Sequence, residues 1–259
     1  MKQLFYKYQG TGNDFVMIDN RLGVFDKSNT QLIAHLCNRR TGVGADGLIL
    51  LESQPSYDFK MVYFNADGNE STMCGNGGRC IVAFARFLEI IDGDTKFLAI
   101  DGPHKAHISE AYVELKMQDV STITSTDNYH LLDTGSPHYV ALKSGLDTID
   151  MNAEGAKIRN SNPFSATGIN VNFAEKMDDA TFSVRTYERG VEAETLSCGT
   201  GVTAVAIAMF HSNQTASTSI KLETQGGVLQ VRFEPLPSLY SEVWLCGPTK
   251  QVFKAELEW

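Results

Sequence analysis

One internal repeat restricts the folding of this chain more than any other feature. Its first copy runs Phe59-Lys60-Met61-Val62-Tyr63-Phe64-Asn65, passes a polar turn with Gly68, and reaches Glu70-Ser71-Thr72-Met73-Cys74-Gly75-Asn76-Gly77. Its second copy runs Phe182-Ser183-Val184-Arg185-Thr186-Tyr187-Glu188, turns at Gly190, and reaches Glu194-Thr195-Leu196-Ser197-Cys198-Gly199-Thr200-Gly201. The two cysteines are 124 residues apart, close to half of the 259-residue chain. Each copy continues into an apolar run, Cys80–Leu88 in the first and Val202–Phe210 in the second. Residue type, order and flanking elements agree together, which duplication explains better than coincidence between glycine-rich turns.

The alanines in both runs favour helix over strand. A helix apolar on nearly all faces belongs inside a core. Alternating, strand-like segments occur at 3–8, 59–64, 111–117, 182–187 and 228–233. The expected fold is therefore α/β, in the α+β sense: two related halves, each with strands around one central buried helix. The small polar stretch 121–128 is expected to link them. With 42% hydrophobic residues the chain can bury a core of that size.

The net charge of −9 argues against nucleic acid or an anionic membrane as partner, since both call for basic patches. No uninterrupted apolar stretch reaches 18 residues, and the N-terminal residues lack the apolar core of a signal peptide, so a cytoplasmic protein is expected. The five cysteines, Cys37, Cys74, Cys80, Cys198 and Cys246, are odd in number and form no C-x-x-C pair. A disulfide framework and a zinc ribbon are both disfavoured. Among six scattered histidines only His104 and His107 are close, so no metal site is expected. Gly42-Val43-Gly44-Ala45-Asp46-Gly47 matches G-x-G-x-x-G, but it precedes a strand-like run and lacks the βαβ context of a dinucleotide site.

Each repeat places a cysteine just before a helix. Helix-start N–H groups attract anions and depress a thiol pKa, while glycines let a ligand approach the backbone. Cys37, Cys80 and Cys246 have no such context and read as core residues. Two thiols from two halves suit either a redox disulfide or a two-base reaction, in which a thiolate takes a proton from one face of a carbon and a thiol returns one to the other. Helix N-termini aimed at a substrate carboxylate would stabilise charge developing on that carbon.

The blocks Gly10-Thr11-Gly12-Asn13-Asp14-Phe15, Asn65-Ala66-Asp67-Gly68, Cys74-Gly75-Asn76-Gly77, and Glu188-Arg189-Gly190 followed by Cys198-Gly199-Thr200-Gly201 resemble, in order, those of the diaminopimelate epimerase family. The resemblance spans residues 10 to 201. It implies a cofactor-independent isomerase that interconverts LL- and meso-diaminopimelate for lysine and peptidoglycan synthesis. By position, Cys74 and Cys198 are the acid/base pair. Gly75, Asn76, Gly199 and Thr200 bind the carboxylate at the reacting centre through helix-start N–H groups. Asn13, Asn65, Asn170, Glu188 and Arg189 hold the substrate's other polar groups. His138 and Glu188 are candidates to tune a thiol pKa, with simple packing the other reading of His138.

Two departures stand out. Ser136 occupies a place where the family often has Asn, and the turn between Arg189 and Cys198 is one residue longer than in some members. The resemblance also implies that each domain is a mixed sheet curled around its helix. The domains are then 1–120, completed by a terminal strand at 250–259, and 121–249, with the active site in a cleft that closes. The expected partner is the small-molecule substrate. A monomer and a homodimer are both open. The competing readings are another cofactor-independent racemase or epimerase of the superfamily and, further off, a thiol-redox protein.

Overall fold

The computed structural model describes residues 2–258. The chain forms two compact units. One runs to Leu115 and takes the chain back from Gly247 onward, and the other is Lys116–Cys246. The chain therefore changes unit at Leu115/Lys116, a few residues before the expected 120/121 boundary. It changes back at Cys246/Gly247 rather than at 249/250.

In the first unit the elements are β1 (Lys2–Gly10), β2 (Asn13–Asp19), α1 (Thr30–Cys37), β3 (Gly47–Glu52), β4 (Phe59–Asn65), α2 (Gly75–Phe87), β5 (Asp94–Ala99), β6 (Gly102–Ser109) and β7 (Tyr112–Lys116). The second holds β8 (Ile123–Ser125), β9 (His130–Asp133), β10 (Pro137–Leu142), α3 (Met151–Arg159), β11 (Asn170–Lys176), β12 (Thr181–Glu188), β13 (Ala193–Thr195), α4 (Gly199–His211), β14 (Ser219–Thr224), β15 (Gly227–Leu236) and β16 (Leu239–Pro248). The last strand, β17 (Lys250–Glu258), pairs antiparallel with β1 in the first unit.

The two units repeat one strand plan. In the first, β1–β2 is antiparallel, β2–β3 parallel, β3–β4 antiparallel, β4–β5 parallel, and β5–β6 and β6–β7 antiparallel. In the second, β9–β10 is antiparallel, β10–β11 parallel, β11–β12 antiparallel, β12–β14 parallel, and β14–β15 and β15–β16 antiparallel. The parallel pairs need crossovers. α1 and α3 supply the first crossover of each unit, and α2 and α4 the second. β8 on β9 and β17 on β1 occupy matching edge positions. Residues 123–125 are thus a sheet strand rather than linker, and their apolar Ile123 pairs with Leu132.

The two central helices are built alike. Cys74 and Cys198 are the N-cap residues, both extended, and each carbonyl accepts the first intrahelical bond, from Gly78 and Val202. Both helices end in a Schellman motif. Glu89 and Asn213 turn to positive φ, and the N–H groups of Ile90 and Gln214 return to the carbonyls of Ala85 and Met209. From Gly75 to Val82 every residue of α2 is buried, as is every residue of α4 from Gly201 to Met209. Such helices cannot face water, so the sheets must wrap them. Among the described residues no helix is long and apolar enough to cross a membrane.

Candidate active site

In the first unit, Cys74 is half-buried at the start of α2. Behind it lies a chain of amides with a fixed polarity. The guanidinium of Arg79, fully buried, donates to Asn76 Oδ1 at 2.9 Å and to Thr11 Oγ1 at 3.1 Å. Asn76 Nδ2 donates to Asn13 Oδ1, and Asn13 Nδ2 donates to Asp46 Oδ2 at 3.0 Å. A guanidinium only donates and a carboxylate only accepts, so the two ends orient both amides between them. Asp46 is held by Arg39, which also bridges Asp14. Lys7 pairs with Asp14 at 2.8 Å and donates to the Gly44 carbonyl. Burial pushes the Asp14 carboxyl up, but hydrogen bonds from Arg39 and Lys7 outweigh it and bring the pKa down to about 2. The structure therefore joins Asn13 and Asn76 into one array at the start of α2. Asn65, exposed at the end of β4, is not part of it.

In the second unit, Cys198 is 7% exposed at the start of α4, with its Sγ 3.4 Å from Thr200 Oγ1. Glu188 accepts from Thr195 Oγ1 at 3.0 Å, and Arg189 is exposed on the turn that follows. Asn170, 2% exposed, donates to Ser136 Oγ and to the Pro137 carbonyl, and its Oδ1 accepts the Arg189 N–H at 2.9 Å. Its amide thus staples β10 to the Glu188–Arg189 turn. Ser136 Oγ also receives Arg189 Nη2 at 3.4 Å, so the serine fills its place with hydrogen bonds of its own.

His138 is fully buried on β10. Its Nδ1 lies 3.0 Å from Asn172 Nδ2, and its Nε2 has no hydrogen-bond partner among the described residues. Burial, with the Arg189 charge adding to it, lowers its pKa to about 3, so the ring is neutral at physiological pH. A neutral ring cannot stabilise a thiolate as an imidazolium would. A buried imidazole N–H without an acceptor costs about 1–3 kcal/mol.

The remaining cysteines are poor acid/base candidates. Burial pushes the thiols of Cys37 and Cys80 up to about 12. Cys246, buried, approaches the Trp244 carbonyl at 3.7 Å.

Arg79, Thr11, Asp46, Asn172 and Thr186 were not singled out by the sequence reading. Arg79 carries a signal, as a charge immediately before the apolar stretch Cys80–Ala85. For Thr186 the signal was its alignment with Tyr63 in the repeat.

Several solved structures share this fold. A phenazine biosynthesis protein of Bacillus anthracis superposes over all of both chains with a TM-score of 0.77 at 13% identity. A hydroxyproline epimerase from Agrobacterium vitis covers 99% of this chain and 92% of its own, with a TM-score of 0.71 at 13% identity. The fold is thus the two-unit α/β type that also carries epimerases. The diaminopimelate epimerase family model matches residues 5–121 and 130–236. A diaminopimelate epimerase of Flavobacterium psychrophilum is 55% identical over 253 residues, covering 97% of this chain and 99% of its own. One from Chlorobaculum tepidum is 41% identical, covering 96% and 98%. The chain belongs to the diaminopimelate epimerase family and is an isomerase.

Proposed function

We propose that the protein interconverts LL- and meso-diaminopimelate by two-base proton transfer between Cys74 and Cys198, without a cofactor. One observation carries this reading: each copy of the duplicated unit ends a polar turn in a cysteine that caps a largely buried helix. The helix-start N–H groups at Gly75 and Asn76, and at Gly199 and Thr200, are suited to a carboxylate. They also favour the thiolate form of the capping cysteine.

The reaction balances on protons alone. One cysteine, as thiolate, takes the α-proton and becomes a thiol. The electron pair left on carbon delocalises into the adjacent carboxylate, where the N–H groups stabilise it. The other cysteine, as thiol, gives its proton to the opposite face and becomes a thiolate. The reverse reaction swaps the roles, which suits two similar units. The chemistry requires both sulfurs to address one carbon.

Specificity for a zwitterionic diamino acid falls to Asn13, Asn65, Glu188 and Arg189, with Asn170 setting the Glu188–Arg189 turn. Arg189 can clamp a carboxylate with its planar fork. The reading places the enzyme in the cytoplasm, with a small zwitterion rather than nucleic acid or membrane as its partner.

The test is conversion of resolved LL-, meso- and DD-diaminopimelate under reducing conditions with no cofactor added. LL and meso should interconvert. Failure of LL to yield meso, or equal turnover of a simple monoamino acid, contradicts the proposal.

A further inference from the structure

The second unit buries a polar cluster where the first unit holds two buried apolar side chains and a half-buried tyrosine. In the first unit, Phe15 pairs with Gly47, and Ile49, two residues on, pairs with Tyr63. The same strand plan in the second unit pairs His138 with Asn170, and Asn172, two residues on, with Thr186. His138, Asn172 and Thr186 therefore stand at the register positions of Phe15, Ile49 and Tyr63. The helices agree with this correspondence. A Cβ on Gly77, three residues past Cys74, would meet Ile49 and Phe15, whereas one on Gly201, three past Cys198, would meet Asn172 Oδ1. The fold accepts Phe and Ile at the first two of these positions, so His138 and Asn172 serve something other than folding.

Hydrogen-bond chemistry decides how that cluster is protonated. Asn172 Nδ2 donates to the Tyr139 carbonyl at 3.1 Å, and Thr186 Oγ1 donates to Asn172 Oδ1 at 2.9 Å. The carbonyl can only accept, so the nitrogen of the Asn172 amide faces it. A flipped amide would set two oxygens against each other. The same nitrogen lies 3.0 Å from His138 Nδ1, which must then present its lone pair. A neutral ring with a lone pair on Nδ1 carries its hydrogen on Nε2. Position links the cluster to the thiol. Asn172 Oδ1 and Cys198 Sγ lie 2.4 and 3.4 Å from the point a Gly201 Cβ would occupy.

We propose that Asn172 and Thr186 are positioning residues that hold His138 as the Nε2–H tautomer, making its Nε2 a hydrogen-bond donor and never a proton acceptor. This rests on the two-thiol reading for its purpose. Nε2–H then donates to an anionic acceptor that arises in the reaction, a thiolate or a substrate carboxylate, while proton transfer itself stays on sulfur. The device belongs to one unit only, so the two thiols work in unlike settings despite the duplicated fold.

The experiment is nitrogen NMR of histidine-labelled protein, with Asn172→Asp and the double variant His138→Phe/Asn172→Ile, which copies the first unit's own pair. In the wild type, His138 should show unprotonated Nδ1 and protonated Nε2 across neutral pH. Asn172→Asp, whose carboxylate can only accept, should move the hydrogen to Nδ1. The double variant should melt as a folded protein and lose at least about tenfold in kcat, with a smaller change in KM. A Nδ1–H or imidazolium signal in the wild type overturns the proposal. So does a folded double variant with wild-type kcat. Should the double variant not fold, the tautomer signals decide. Should the wild type not turn over diaminopimelate, the two-thiol reading fails, while the tautomer result still stands or falls by itself.

Discussion

Gly201 and Gly77 hold the same place three residues past their cysteines, yet a methyl group would meet different things. At Gly201 it would lie 2.4 Å from Asn172 Oδ1 and 3.2 Å from Cys198 Cβ, whereas at Gly77 the nearest atom is the end of Ile49 at 3.1 Å. Gly201→Ala is expected to cost about 1–3 kcal/mol and to slow turnover. Gly77→Ala should cost less, since Ile49 can shift and alanine favours the helix by up to ~1 kcal/mol. Urea denaturation of both variants checks this, and equal losses would contradict it. His138 gives a prediction in pH. Its folded pKa is about 3, against an ordinary 6.5. Above ~6.5 neither state binds the proton and the contribution is complete. As pH falls the unfolded chain takes up a proton that the folded one refuses, so stability declines toward pH 3. The loss by pH 5 is of order 1–2 kcal/mol. Comparing denaturation at pH 7 and pH 5 should show this loss reduced in His138→Phe; an unchanged loss would place it elsewhere. At this scale the sequence was only partly legible. The cysteines announced themselves by repetition, and Asn13 and Asn76 lay in recognisable blocks. Asn172 and Thr186 did not, because a polar residue inside a strand pattern is no signal until the register shows what it faces.

At the scale of elements, the helices were readable and the edges were not. Two alanine-containing apolar runs favour buried helices, and both helices are capped by the repeated cysteines. Residues 121–128 look like a linker because they are small and polar, but β8 needs only three residues and one apolar contact to pair with β9. Short edge strands carry little hydrophobic periodicity, so composition hides them. β17 is the matching edge strand of the first unit, and it is long, pairing from Lys2↔Glu258 to Gln9↔Lys250. Tyr8 adds a side-chain bond to Gln251 at 3.1 Å. Removing residues 250–259 should strip hydrogen-exchange protection from β1 and its neighbours while β10, β11 and β12 keep theirs. Uniform loss across both units would contradict their separate cores.

For the whole molecule, duplication explains why one strand plan appears twice and why each copy offers a thiol at a helix start. It does not make the copies equal. The first unit sets Arg79, Asn76, Asn13 and Asp46 behind Cys74. The second links His138, Asn172 and Thr186 by hydrogen bonds, with Asn172 packed against Gly201, three residues past Cys198. Five cysteines without a C-x-x-C pair at first only excluded disulfide and zinc frameworks. The fold sorts them by position, two at helix starts and three in core packing, where burial raises Cys37 and Cys80 to about 12. Single substitutions of Cys74 or Cys198 by alanine should each reduce epimerisation by at least about a hundredfold, at the low end for loss of a positioned acid or base. Melting temperature should change little, and Cys37→Ala should leave turnover near wild type.

The central claim is that two monoprotic groups, one per unit, share one carbon. Its most direct test is early-time epimerisation of LL-diaminopimelate in deuterium oxide, with isotope content measured separately in residual substrate and in product. The account predicts that the meso product carries solvent deuterium at the inverted centre while recovered LL substrate remains protiated. Deuterium entering recovered LL substrate as fast as product forms would indicate a single shared base and contradict it.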